Sequence, residues 1–243
     1  MPRTTMQMLG LMLTCLWSVQ AAAQRCQAQS AAEPPAVVEL FTSEGCSSCP
    51  PADQWLSRIE PGGGVIALAF HVNYWNHLGW KDRFATPATT ARQYAVKAAS
   101  GAPYVYTPQV VLNGKDFRNW RGVAPDRLPR IVARAAPSLQ LRREGDQVSA
   151  HIGASAAAGE FAGYWAVLED GQVNRVTAGE NTGSTLRHDH VVSFYQPVEG
   201  WDAKKDRQLS MRLPASNAGQ RVAFVVIDSR LTTPVQALVL ACR

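Results

Sequence analysis

Charge is scarce in this chain and nowhere concentrated. Only 18% of the 243 residues are Asp, Glu, Lys or Arg, with 24 basic against 19 acidic side chains. The basic pairs Arg142-Arg143 and Lys204-Lys205 stand apart in the sequence. A nucleic-acid footprint needs basic residues gathered on one face, so the surplus of +5 argues for solubility and against a nucleic-acid partner. Long apolar runs are also missing beyond the first twenty or so residues, which leaves no further stretch able to span a bilayer. There is no internal repeat and no heptad run, hence no solenoid and no coiled coil. From Pro137 onward there is no serine nucleophile elbow, no glycine-rich phosphate loop and no pair of metal ligands at the usual spacing; no organic cofactor is implied for the chain and no metal ligand is assigned. Cysteine is sparse, at five residues.

The start of the chain assigns those cysteines to a compartment. Arg3 is followed by a mostly apolar run over residues 8–19, then by Ala21-Ala22-Ala23 before Gln24. A short basic start, a short apolar run and small residues at a cleavage point form a secretory signal peptide, expected over residues 1–23. Cys15 falls inside the apolar run and is expected to leave with it. Only Arg3 among the charged side chains goes too, so the surplus falls from +5 to +4. The remainder is expected to be exported, periplasmic or secreted, with no membrane span.

Cys46-Ser47-Ser48-Cys49 carries the chemistry. Upstream, residues 36–42 (AVVELFT) are β-branched and apolar and read as a buried strand. Downstream, residues 52–59 place Trp55, Leu56 and Ile59 on one helical face. The pair therefore falls where a strand meets a helix N-terminus, where free N–H groups and the helix dipole favour a thiolate. A CxxC can also be half of a metal site or a plain structural bridge. A structural zinc site needs four close ligands, and a loop so short constrains the unfolded chain little.

Residues 65–71 (VIALAFH) read as a central strand buried on both faces. Residues 86–100 read as a helix with Thr86 as N-cap, Pro87 at the first position and Gly101 closing the end. Residues 106–112 and the segment up to about Trp120 form a hairpin around Asn113-Gly114. A further helix is expected over residues 126–136, with Pro129 in its first turn. From Pro137 onward the texture changes to short strands broken by Gly, Asn and Asp, starting with a hairpin around Gly145-Asp146, which suggests a β-sandwich. His188 and His190, two apart on a strand, would share one face.

A CxxC opening the first helix, followed by a proline that opens a hairpin strand, resembles the thioredoxin fold. More closely, residues 38–53 (VELFTSEGCSSCPPAD), 70–82 (FHVNYWNHLGWKD), 105–109 (VYTPQ) and 179–186 (GENTGSTL) resemble the exported thioredoxin-like family called domain of unknown function 1223. That resemblance implies an α/β thioredoxin-like domain over residues 24–136 with a cis Thr107-Pro108 bond facing the CxxC. An all-β sandwich-like domain would follow over residues 137–243.

The expected activity is thiol–disulfide exchange on a protein or small thiol. Cys46 would attack, Cys49 would resolve, and Thr107 and Pro108 would form the substrate groove. Two other classes stay open: a Cu(I) metallochaperone using the same cysteines, and a non-catalytic protein-binding module working through the sandwich. If Cys46 pairs with Cys49, Cys26 is left to pair with Cys242 as a structural disulfide. The aromatic segment 74–80 is either a partner platform or a small satellite core.

Overall fold

Alternate residues along the central strands feed opposite cores, and this organises the chain. In the computed structural model, which describes residues 25–242 except 63, 134, 215–218 and 230–232, strands dominate. They are β1 (Arg25–Gln29), β2 (Ala36–Thr42), β3 (Val65–His71), β4 (Gln109–Leu112), β5 (Lys115–Asp116), β6 (Leu139–Glu144) and β7 (Gln147–Ile152). There follow β8 (Glu160–Glu169), β9 (Gln172–Arg175), β10 (Thr185–His188), β11 (Val191–Asp202), β12 (Arg207–Arg212), β13 (Arg221–Asp228) and β14 (Pro234–Ala241). The α-helices among the described residues are α1 (Pro50–Leu56) and α2 (Pro87–Ser100).

Eight strands form one mixed sheet in the order β14-β13-β8-β11-β3-β2-β4-β5. β2 and β3 run parallel in register from Ala36↔Val65 to Thr42↔His71. β3 meets β11 in parallel at Ala69↔Val191, where Ala69 N–H also donates to His190 O at 2.8 Å. Along β2, Val37 and Phe41 enter a core with Phe70, Tyr164 and Val225, whereas Val38 and Leu40 enter another with Trp55 and Leu56 of α1. β8 splits in the same way, with Tyr164 on the first side and Trp165 on the other. Trp165 packs between the large sheet and a four-stranded antiparallel sheet, β1-β6-β7-β12. β9 and β10 form a separate two-stranded ribbon.

The expected fold class is corrected by this topology. With 43% strand against 17% helix, 3-10 turns included, and a mixed sheet, the described residues show no α/β thioredoxin-like arrangement followed by a sandwich. The strands before and after Pro137 share the large sheet through β3 and β11. Burial of β3 on both faces was legible, but an apolar run says nothing about which strand lies beside it.

Local chemistry accounts for the elements that match. Thr86 and Thr89 form a reciprocal capping box at the start of α2, and Gly101 ends it in the left-handed region at φ 66. Asn113 and Gly114, with φ of 50 and 80, make the β4–β5 turn. The strand expected up to Trp120 stops at Asp116 and gives way to a 3-10 turn over Arg118–Gly122. The helix expected over 126–136 is only a 3-10 turn at Pro125–Arg127. Leu128 and Ile131 are buried there with near-helical spacing, but Pro129 supplies no N–H and holds the residue before it out of the helical region. Indeed Leu128 is extended, with ψ 134.

An ion pair is buried at the centre of the fold. Arg92 of α2 donates from Nε and Nη2 to the two carboxylate oxygens of Glu39 at 2.7 and 3.0 Å. Tyr164 donates its hydroxyl to the same carboxylate at 3.0 Å. A second tie joins the ends of the described chain, through a disulfide between Cys26 and Cys242.

Candidate functional site

Cys46 and Cys49 form a disulfide in the turn between β2 and α1. Cys46 N–H donates to Ser43 O at 3.1 Å and Cys49 N–H donates to Cys46 O at 3.2 Å. Cys49 is the N-cap of α1, and Pro50 and Pro51 occupy its first positions. Proline has no N–H, and the N–H groups of Ala52 and Asp53 already donate to Cys49 O. The start of this seven-residue helix thus offers a thiolate fewer free donors than its sequence position implies. Both cysteines are buried, while Ser47 and Ser48 between them are exposed.

The connection between β9 and β10 roofs this turn. Asn181 Nδ2 donates to Glu44 O at 2.9 Å and to Cys46 O at 3.0 Å. The Glu180 carboxylate accepts from Ser47 N–H at 2.9 Å and Ser47 Oγ at 2.8 Å. Those two donors, the backbone N–H foremost, hold the Glu180 carboxyl below its usual range.

Trp75 links the turn to the other expected site residues. A Cβ on Gly45 would lie 3.0 Å from Trp75 Cβ, so any larger residue there would have to push Trp75 back. Trp75 Nε1 donates to Thr107 Oγ1 at 2.8 Å. The Thr107–Pro108 bond is cis, and both residues line a cavity of about 380 Å³ with Tyr104, Tyr106, Trp120 and Arg121. The described lining of that cavity does not include Cys46 or Cys49. Tyr74 and Trp75 pack against the large core, whereas Leu78 of the same aromatic segment is exposed.

Beside the disulfide turn lies a cluster that no sequence spacing announces. Glu44, two residues before Cys46, is fully buried. Its carboxylate accepts from Trp80 Nε1 at 2.8 Å and Asn174 Nδ2 at 2.6 Å, and lies 3.2 Å from His188 Nε2. Burial opposes its charge, but His188, Asn174 and Trp80 hold the carboxyl below its usual range. Asp82 lies 2.7 Å from His71 Nδ1 and accepts the N–H groups of Glu44 and Phe84, each at 3.0 Å. Against the cost of burial, His71 and those N–H groups lower the Asp82 carboxyl too. Asp53, on α1, accepts from Thr42 Oγ1 at 2.9 Å and stands 3.7 Å from His188 Nδ1.

The two imidazoles meet edge to face, with ring centres 4.9 Å apart. His71 Nε2 and both nitrogens of His188 lack a hydrogen-bonded partner; the two carboxylate contacts of His188 have ion-pair distance without hydrogen-bond geometry. Each unmet buried polar atom costs about 1–3 kcal/mol. Burial lowers the His188 pKa, but Asp53 and Glu44 outweigh it and lift it to about 9. One ligand atom from each of Asp53, His71 and His188 lies within 4.8 Å of the other two, so these residues could hold a metal ion. His190 does not join them. It lies in the left-handed region at φ 58, which breaks the strand alternation, and its Nδ1 meets Arg221 Nη2 at 3.1 Å.

Trp75 touches both the Gly45 turn beside Cys46 and Thr107, but no hydrogen bond joins Cys46 or Cys49 to Thr107 or Pro108 among the described residues. Cys26 and Cys242 pack against a separate core. Missed by sequence reasoning were Glu180 and Asn181 as a cap, and Glu44, Asp53 and Asp82 as partners of histidines. Asp53, four residues after Cys49 and hence on the same helical face, was the one available signal.

Residues 37–227 match the family model described as protein of unknown function DUF1223. No curated protein matches the chain. Among solved structures, a crystal structure of an Agrobacterium tumefaciens protein is similar, with 32% identity and a TM-score of 0.64, covering 87% of this chain and 96% of that one. The chain belongs to the DUF1223 family of proteins of unknown function.

Proposed function

We propose that this protein is an exported thiol–disulfide oxidoreductase acting through Cys46 and Cys49 on a protein or small thiol. The observation that carries the reading is the setting of the pair. A short disulfide sits in a turn whose two serines face solvent, under a cap held by side-chain hydrogen bonds. A structural bridge closing so short a loop would stabilise the fold little. Export is supported by the residues 1–23 pattern, which lies outside the described residues, and by two disulfides, which persist in oxidising compartments.

In the reducing direction the Cys46 thiolate attacks a substrate disulfide, forms a mixed disulfide and expels one substrate thiolate. Cys49 then attacks Cys46 Sγ, expels the second substrate thiolate and restores the Cys46–Cys49 bond, so two electrons pass to the substrate. The oxidising direction is the reverse. Either direction requires the Glu180–Asn181 cap to move, because Cys46 and Cys49 are buried beneath it. Pro108 would shape the groove, and the Thr107 backbone would pair with an extended substrate.

Serine replacements test this. Cys49→Ser should accumulate mixed disulfides with native partners, and Cys46→Ser should trap few. A Cu(I) carrier would instead lose metal about equally with either replacement and collect no adducts. Absence of adducts from both variants would overturn the exchange mechanism.

A further inference from the structure

We propose that Asp53, His71 and His188 bind one divalent transition-metal ion of the zinc class. The three ligands come from α1, the end of β3 and the end of β10. All are buried, with His71 0% and His188 2% exposed. A core histidine with a purely structural role has its nitrogens hydrogen-bonded. Here His71 Nε2 is not, and the His188 nitrogens face the Glu44 and Asp53 carboxylates at 3.2 and 3.7 Å without hydrogen-bond geometry.

The outer residues match what a metal-ligating imidazole needs. Such a histidine presents one nitrogen to the ion and has a carboxylate or carbonyl at the other, which sets its tautomer and orientation. Asp82 stands at His71 Nδ1, 2.7 Å away, and leaves Nε2 for an ion. Glu44 stands at His188 Nε2, 3.2 Å away, and leaves Nδ1 facing Asp53 Oδ1 at 3.7 Å. Both outer carboxylates are themselves fixed, Asp82 by two backbone N–H groups and Glu44 by Trp80 and Asn174.

Bond lengths of about 2.0–2.1 Å place neighbouring tetrahedral ligand atoms about 3.3 Å apart. The observed separations, 3.7 Å for Asp53–His188 and within 4.8 Å overall, are wider than that, so the side chains would draw inward by up to about 1.5 Å on binding. Two imidazoles and one carboxylate suit zinc-class ions rather than calcium or magnesium, and with both cysteines in a disulfide no thiolate is there to favour Cu(I). The ion would clasp the β9–β10 ribbon to β3 and α1. That ribbon's connection carries Glu180 and Asn181, so the site would steady the cap over Cys46. Metal binding is separable from the redox reading, since it needs neither cysteine.

The test uses the full chain with both disulfides intact and metal stripped away, titrated with Co(II) and then displaced by Zn(II). The expected result is one ion per chain, with visible bands of tetrahedral Co(II) and no thiolate charge-transfer band. His71→Gln and His188→Gln should each bind at least about 100-fold more weakly, and Asp82→Asn about 10–100-fold more weakly, with every ligand still present. His151→Gln, at an exposed histidine, should bind like the parent. Absence of saturable binding overturns the proposal, as does binding that survives loss of His71 and His188 or depends on His151. Should the histidine variants fail to fold, X-ray absorption of the zinc-loaded parent decides alone. Two imidazoles without sulfur support the site; fewer imidazoles, or sulfur, overturn it.

Discussion

Asn181 donates from one side-chain nitrogen to the carbonyl oxygens of both Glu44 and Cys46, at 2.9 and 3.0 Å, so a residue 135 positions after Cys46 fixes the cysteine turn. The β9–β10 connection is therefore part of the site, and access to the disulfide depends on it.

Asn181→Ala leaves two buried carbonyls short of a donor. Stability should fall by about 1–3 kcal/mol, and dithiothreitol should open Cys46–Cys49 faster than in the parent. Urea unfolding and timed thiol release measure the two effects. Unchanged values for both would mean that the cap does not guard the disulfide.

Glu180 is exposed and its carboxylate sits on Ser47, next to Cys46. A nearby negative charge disfavours a thiolate. Glu180→Gln should leave the urea midpoint unchanged, as expected of an exposed side chain, while the reduced protein alkylates faster at Cys46. Mass-resolved alkylation of the reduced protein reads this directly, and a slower rate would contradict it.

The Glu39–Arg92 pair bears on stability alone. Arg92→Met strands a buried carboxylate and should cost about 3–5 kcal/mol. Adding Glu39→Gln removes the stranded charge, keeps an acceptor for the Tyr164 hydroxyl and should restore part of the loss. Urea unfolding of the single and double variants checks the sign; a double variant weaker than Arg92→Met would contradict it.

Much of the fold was legible where residues act locally. The capping box of α2, the Asn113-Gly114 turn and the buried strands β2 and β3 all follow from near-neighbour chemistry. Strand partnership did not, because Val191 meets Ala69 through long-range packing that leaves no mark in either segment. The site divides in the same way. Cys46 and Cys49 announce themselves by spacing, whereas Glu44 and Asp53 beside them gain their meaning only when His71 and Asp82 and, from much further along the chain, His188 meet them.

Acid sensitivity should arise in part at Asp170. Arg221 donates to both its oxygens at 2.9 and 2.6 Å, and His190 N–H donates at 2.8 Å. Burial works against the charge, but these donors hold the carboxyl below its ordinary 3.8. The unfolded chain therefore takes up the proton first as pH falls. The contribution is present above the ordinary carboxylate pKa and drains away as pH drops through that value toward the lower folded one. Asp170→Asn should flatten that limb of the urea midpoint plotted against pH. An unchanged slope would show that Asp170 does not carry it.

The reduction potentials of the two disulfides test the central claim most directly. Equilibrating the folded protein in thiol–disulfide buffers, then mapping which cysteines have opened, reads each bond separately. Redox activity predicts that Cys46–Cys49 opens reversibly in the folded state, at a potential less negative than about −300 mV, while Cys26–Cys242 stays closed in the same buffers. A Cys46–Cys49 bond that opens only on unfolding, or only together with Cys26–Cys242, would contradict the account.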